Sequence, residues 1–261
     1  MVTIDLAHWI AWIDAFVYPL IRIASFVSVA PILGDASVPI RVKIALSVIL
    51  TIAMQAQIPP MAAVSPDSAQ GLMMAATQVA VGAALALAVR LVFAAVQIAG
   101  DFIGMEMSLS FASFIDPTMG NTNVVSRLFN TVALLLFVTS NGHLLLIAGL
   151  AQTFTLIPLS HIWVARDGFG QLLASSSLLF VSGTLLALPL MITLLTLNLI
   201  LGILNRTAQQ LSVFAVGFPI ALTMGLFVLG LMLPVMQEAF QHLTAQGISL
   251  MSEVARQMAQ P

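Results

Sequence analysis

Six apolar stretches take up most of this chain, running approximately from Leu6 to Leu33, Val42 to Ile58, Ala69 to Ala99, Leu128 to Ile157, Gln171 to Leu204, and Val213 to Phe240. A helix of about 20 apolar residues crosses the roughly 30 Å hydrocarbon layer of a bilayer, so each stretch is a candidate span. The runs are continuous rather than alternating, which selects helices over the strands of an outer-membrane barrel. Only 7% of residues are charged against 60% hydrophobic, where a water-soluble domain carries roughly 25% charge. The expected fold class is therefore all-α, a polytopic helical membrane protein.

The same composition removes several functions. Eight Lys and Arg against ten Asp and Glu give a formal charge of −2, with no basic patch to neutralise a phosphate backbone, so no nucleic-acid partner is expected. The absence of cysteine excludes disulfides, thiolate zinc sites, iron–sulfur clusters and a cysteine nucleophile. His8, His143, His161 and His242 are scattered, no HExxH pair occurs, and neither GxSxG nor SxxK is present; no catalytic residue, metal or cofactor is expected. Asp5 precedes any basic residue, Asp14 lies inside the first apolar stretch and the first cation is Arg22, so that stretch reads as a retained span rather than a cleaved export signal.

The third, fourth and fifth stretches exceed the length of an upright span, which calls for tilt, kinks or extension beyond the bilayer. Kinks or turns are expected at Asn141 and Gly142, at Pro189, and at Gly217 with Pro219. Arg41 and Lys43, placed on the cytoplasmic side, put Arg127 and Arg206 on that side and Arg166 and Arg256 opposite. Asp14 and Arg22, eight residues apart, read as snorkelling or paired residues, and Arg90, Gln97 and Asp101 share one helical face. No acidic pair recurs in matching positions of two halves, so the signature of an ion-coupled carrier is missing. Residues 241–261 form an amphipathic tail with Leu243, Ile248, Leu250, Met251 and Val254 on its apolar positions.

Small residues mark close helix approaches in lipid. Ala76, Ala80, Ala84 and Ala88 repeat every four residues, and Gly100, Gly104 and Ser108 continue the spacing; the latter three are expected at helix packing and subunit contacts. The stretch that follows, 105–122, contains Met105, Met107, Phe111, Phe114, Asp116, Pro117 and Met119. It is too polar to span and too apolar for a solvated loop. Irregular backbone at membrane depth survives inside protein or along a water cavity, and flexible thioethers with aromatic rings can seal a passage, so these seven residues are the candidate plug or gate. The other reading is an interfacial loop resting on lipid headgroups.

The ordered series Ala30-Pro31-Ile32-Leu33, Val38-Pro39, Arg41-Val42-Lys43, Ala99-Gly100-Asp101-Phe102-Ile103-Gly104, Leu109-Ser110-Phe111-Ala112, Asp116-Pro117, Asn141-Gly142-His143, Leu201-Gly202-Ile203-Leu204-Asn205-Arg206 and Phe214-Ala215-Val216-Gly217-Phe218-Pro219 resembles the FliR family of flagellar type III secretion, related to the T component of injectisomes. The resemblance runs from Trp9 to about Phe240; Ala208-Gln209-Gln210-Leu211 departs from the family's Ala-Pro-Gln-Leu. It implies one export-gate domain over residues 1–261, made of kinked long helices and helical hairpins for a conical assembly. In that assembly FliP and FliQ subunits join it in a closed channel for unfolded flagellar substrates. The family assembly stands largely above the surrounding bilayer. Stretch 105–122 maps onto the family's plug loop, beside a methionine-rich gasket of FliP. FlhB and FlhA are the further partners implied, and the bacterial inner membrane within the flagellar basal body is the implied location. A stand-alone small-molecule transporter and a purely structural scaffold are the alternatives.

Overall fold

The computed structural model describes residues 6–59, 64–107, 109, 123–160, 165–207 and 217–260. Those residues are helical, with no strand among them: α1 (Leu6–Val29), α2 (Ile40–Met54, extended by a 3-10 turn at Gln55–Gln57), α3 (Ala69–Glu106), α4 (Val124–Thr139), α5 (Gly142–Leu156), α6 (Arg166–Thr207) and α7 (Phe218–Ala259). Three helical segments, Ile40–Gln57, Ala69–Glu106 and Arg166–Leu204, are long and apolar enough to cross a membrane, and five candidate spans result if the bent pairs α4–α5 and Pro219–Met232 with Pro234–Ala259 each count as one. The chain is a polytopic helical membrane protein. The first stretch is α1, and its one cation does not snorkel. Arg22 is fully buried.

The chain divides into two compact units. The first holds residues 1–91, 141–176 and 245–261, and here α1 packs on α2 and on α3. Gly82 lets α3 come against the Arg22 carbonyl of α1, where any Cβ would collide. The Ser25 hydroxyl donates to the Val79 carbonyl at 2.7 Å, and the Tyr18 hydroxyl donates to the Val64 carbonyl at 3.0 Å. Arg22 donates from Nε to Gln78 Oε1 at 2.6 Å, and from its terminal nitrogens to the carbonyls of Thr153 at 3.1 Å and Ile157 at 2.9 Å. Its guanidinium lies 4.5 Å from the centre of the Phe154 ring. The positive charge thus meets the negative, carbonyl end of α5. Gly149 of α5 takes the methyl end of Met251, and Gly168 of α6 takes Met258. The last residues of α7 bury Met251, Val254, Ala255 and Met258.

Between α1 and α2 the chain makes a tight corner. The Gly34 amide donates to the Ala30 carbonyl at 2.8 Å, and a Cβ at Gly34 would meet the carbonyl oxygens of both Ser28 and Ala30, so only glycine fits. Ile32 takes φ 70°, a left-handed conformation costly for a β-branched residue. Lys43 Nζ donates to the Gly34 carbonyl at 3.0 Å. Asp35 accepts the Ser37 amide at 2.8 Å. Hydrogen bonds from the Ser37 hydroxyl and amide, and then the charges of Lys43 and Arg90, hold its carboxyl below the usual carboxylate range.

The second unit holds residues 92–140 and 177–244. The last four turns of α3 pack on α4, with Phe93 and Phe137 edge to face at 5.5 Å between centroids, and Gly183 brings α6 onto the Ala95 carbonyl. α6 runs unbroken through Pro189. Gly217 and Pro219 stand at the start of α7, with Pro219 in the first helical turn, where its missing N–H costs no bond. Within α7 a bend lies at Pro234.

Candidate functional site

The described flank of stretch 105–122 is the end of α3 in the second unit. Met105 and Glu106 are still helical and Met107 makes the turn that ends the helix, so the first residues of the stretch belong to α3. Met105 is exposed, whereas Met107 is fully buried against Gly225 of α7, with its Cγ, Sδ and Cε all where a Cβ at 225 would be. Beside it, Asn198 Nδ2 of α6 donates to the Glu106 carbonyl at 3.2 Å and reaches the Glu106 carboxylate at 3.5 Å. The Leu109 amide donates to the Gly104 carbonyl at 3.0 Å. Ser108, Phe111, Phe114, Asp116, Pro117 and Met119 lie outside the described residues, as does the Ala208-Gln209-Gln210-Leu211 turn.

The chain re-enters the described structure at Asn123. Its side chain accepts the Val125 amide at 3.1 Å, capping the N-terminus of α4, and lies directly over Gly104, where a Cβ would fall on the amide group. One turn earlier, Gly100 faces the backbone of Ser126 with no room for a side chain. The Ser126 hydroxyl lies within hydrogen-bonding reach of the Gln97 carbonyl, at 2.7 Å, and of the Asp101 carboxylate. The glycine spacing therefore seats the chain's own α4. This is the helix packing expected of Gly100 and Gly104.

The two ends of the undescribed segment are thus pinned on one helix by Gly104–Asn123 and Gly100–Ser126, while Glu106 and Met107 tie its start to α6 and α7. Of these anchors the sequence reading found the two glycines, Met107 and, as part of a polar face with Gln97, Asp101. It missed Asn123, Asn198 and Gly225. Asn123 carried a usable signal, an Asn immediately before an apolar run; Asn198 is an isolated amide in an apolar helix, and Gly225 an isolated helical glycine.

Asn141 and Gly142 separate α4 from α5. Asn141 adopts φ 58°, the left-handed conformation that Asn tolerates better than most residues. His143 Nδ1 and Gln78 Nε2 are buried without a hydrogen-bond partner among the described residues. No group of three or more His, Asp or Glu gathers among those residues.

Long apolar helices of this kind, two of them of 42 residues, define a multi-helix membrane protein. Residues 13–247 match the family described as bacterial export proteins, family 1. The chain is 39% identical over 260 residues to the flagellar biosynthetic protein FliR of Pectobacterium carotovorum subsp. carotovorum, covering 99% of both. It is likewise 39% identical over 259 residues to FliR of Escherichia coli (strain K12), with 99% of both covered. With FliR of Bacillus subtilis (strain 168) the identity is 30% over 219 residues, 82% of this chain and 84% of that protein. The chain belongs to the FliR family of bacterial export proteins, and is a membrane component of flagellar export.

Proposed function

We propose that the chain is a noncatalytic subunit of the flagellar type III export gate of the inner membrane and basal body. In this reading it joins FliP- and FliQ-type chains in a closed channel for unfolded flagellar subunits, and stretch 105–122 serves as the plug. FlhB, wrapping the assembly, and FlhA, coupling export to the proton motive force, are the proposed neighbours.

One observation carries the need for protein partners. α6 is 42 residues long, about 63 Å at 1.5 Å per residue, twice the hydrocarbon thickness. Yet among its described residues it buries a narrow seam, Gly168, Leu172, Ser175, Gly183, Ala187, Leu190 and Leu194, and leaves Leu173, Leu185, Ile192, Leu195 and Leu199 exposed. Lipid cannot cover that length, so part of the apolar surface needs other chains. Gly202 in α6 and Gly230 in α7 have no atom of their own unit within 4 Å of a Cβ position, which leaves notches where a partner helix can approach closely. The anchoring of Gly104, Glu106 and Met107 supports the plug, since a stopper needs a fixed stem.

The test is co-expression. Tagged chain should recover FliP- and FliQ-type subunits in a stable complex, and Gly202→Leu should reduce that recovery while the chain still accumulates in membranes. Recovery of a folded, monodisperse single chain with no bound subunit would overturn the proposal.

A further inference from the structure

The end of α3 is held by two other helices through side chains alone. Helix C-termini leave carbonyls without an intrahelical partner. Here the Ile103 carbonyl accepts the Met107 amide at 2.9 Å and the Gly104 carbonyl accepts the Leu109 amide at 3.0 Å, both from the chain as it leaves the helix. The Glu106 carbonyl is taken by a different helix, through Asn198 Nδ2 of α6 at 3.2 Å. In the apolar run from Ala187 to Leu204 the polar side chains are Thr193, Thr196 and Asn198. The two threonine hydroxyls bond back to the carbonyls of Pro189 and Ile192 in their own helix, so of the three only the amide reaches across to α3. α7 supplies the second contact. Met107 is fully buried, its thioether filling the space that a side chain at Gly225 would need, whereas Met105 is exposed.

The far end of the stretch is seated in another way. Gly100 meets the backbone of Ser126 with no room between, and the Ser126 hydroxyl reaches the Gln97 carbonyl at 2.7 Å. Parting α3 from α4 there means unpacking two helices. The Met107 end has one neutral hydrogen bond and one unbranched, adaptable thioether, contacts that break and re-form without unfolding a helix. Asn198 stands four residues before Gly202, and Gly225 five before Gly230. Those two glycines are the open notches of α6 and α7, so a partner helix seated in them acts within about one to one and a half turns of either contact.

We propose that Asn198 and Gly225 form the latch of the closed gate: α6 holds the last turn of α3 by its carbonyl, α7 holds Met107, and export requires both contacts to open. The proposal rests on the reading of 105–122 as a plug and adds what holds that plug shut. Asn198 is a positioning residue, acting on the plug through the end of α3.

The chain contains no cysteine, so a reversible bond is the direct test. A Cβ at Gly225 would lie 2.8 Å from Met107 Cγ, close to where a cysteine sulfur at 107 would sit, which suits the Cβ–Cβ separation of about 3.5–4.5 Å in a disulfide. Cells exporting flagellar subunits through a gate that carries M107C with G225C are treated with a membrane-permeant thiol oxidant. Export should stop on oxidation and resume on reduction, while either single variant exports throughout. A cross-linked double variant that still exports overturns the proposal. Where the double variant does not assemble or does not cross-link, conductance of the assembled complex in a planar bilayer decides. N198L should leak persistently and N198Q, which keeps an amide donor, much less; an N198L complex as tight as the wild type, or one whose leak N198Q matches, overturns the proposal. Deletion of Ser110 to Asp116, recorded alongside, separates the two readings: a leaking deletion with a tight N198L removes the latch alone, and a tight deletion removes the plug and the latch with it.

Discussion

Among the described residues, Arg22 alone makes three side-chain hydrogen bonds between separate elements of the first unit. It joins three helices through Gln78 on α3 and the last carbonyls of α5, fully buried. Arg22→Leu strands a buried amide oxygen and the Ile157 carbonyl, and should lower unfolding stability in detergent by about 2–4 kcal/mol; thermal unfolding of the purified chain measures it, and an unchanged midpoint would contradict the staple role. Sequence marked Arg22 as an outlier in an apolar helix but could not say where it points, because Gln78 and Thr153 are 56 and 131 residues away. Ile32 is the opposite kind of residue, strained at φ 70°. Ile32→Gly removes the Cβ clash and should raise stability by about 1 kcal/mol, read in the same unfolding assay. Asp35 gives a pH signature. Its folded carboxyl titrates below the ordinary 3.8, so its contribution is full above that pH and is lost as pH falls through the lower, folded value. Protection of the Ser37 amide from hydrogen exchange should fade over that acid range, and in Asp35→Asn the acid-dependent part should vanish.

At the level of elements, the helix breaks were partly legible because some break chemistry is local and some is not. Asn141 followed by Gly142 is a turn signal whatever surrounds it, and the chain does turn there, on a left-handed Asn. Asn141→Gly should be tolerated, while Asn141→Val should cost about 1–2 kcal/mol, a difference measurable by comparing the two unfolding midpoints. Prolines are harder to read: Pro189 sits within an unbroken α6, Pro219 opens α7, and Pro234 marks the bend, because neighbouring helices and water decide whether a freed carbonyl is satisfied. The glycine spacing at Gly100 and Gly104 was visible in the sequence, but its occupant was not. Periodicity shows that something packs closely, and only the fold shows that Ser126 and Asn123 do. Gly104→Ala should push the Asn123 cap off the start of α4 and lower stability by about 1–3 kcal/mol, whereas Gly202→Ala, with open space around it, should cost nothing in the isolated chain.

For the whole molecule, length and composition were enough to establish an all-helical membrane protein, and the ordered motifs were enough to establish the family. Hydropathy alone counts apolar residues without asking whether protein or lipid covers them. α6 and α7 are each far longer than a bilayer is thick, and both leave large apolar side chains exposed. The gate account therefore rests on a chain that is incomplete alone and that carries its own stopper between Met107 and Asn123. Its most direct test is ion conductance through the assembled FliP-, FliQ- and FliR-type complex in a planar bilayer, compared with the same complex after deletion of Ser110 to Asp116. The account predicts a tight wild-type complex and a persistent leak in the deletion with assembly intact; an assembled deletion complex as tight as the wild type would contradict it.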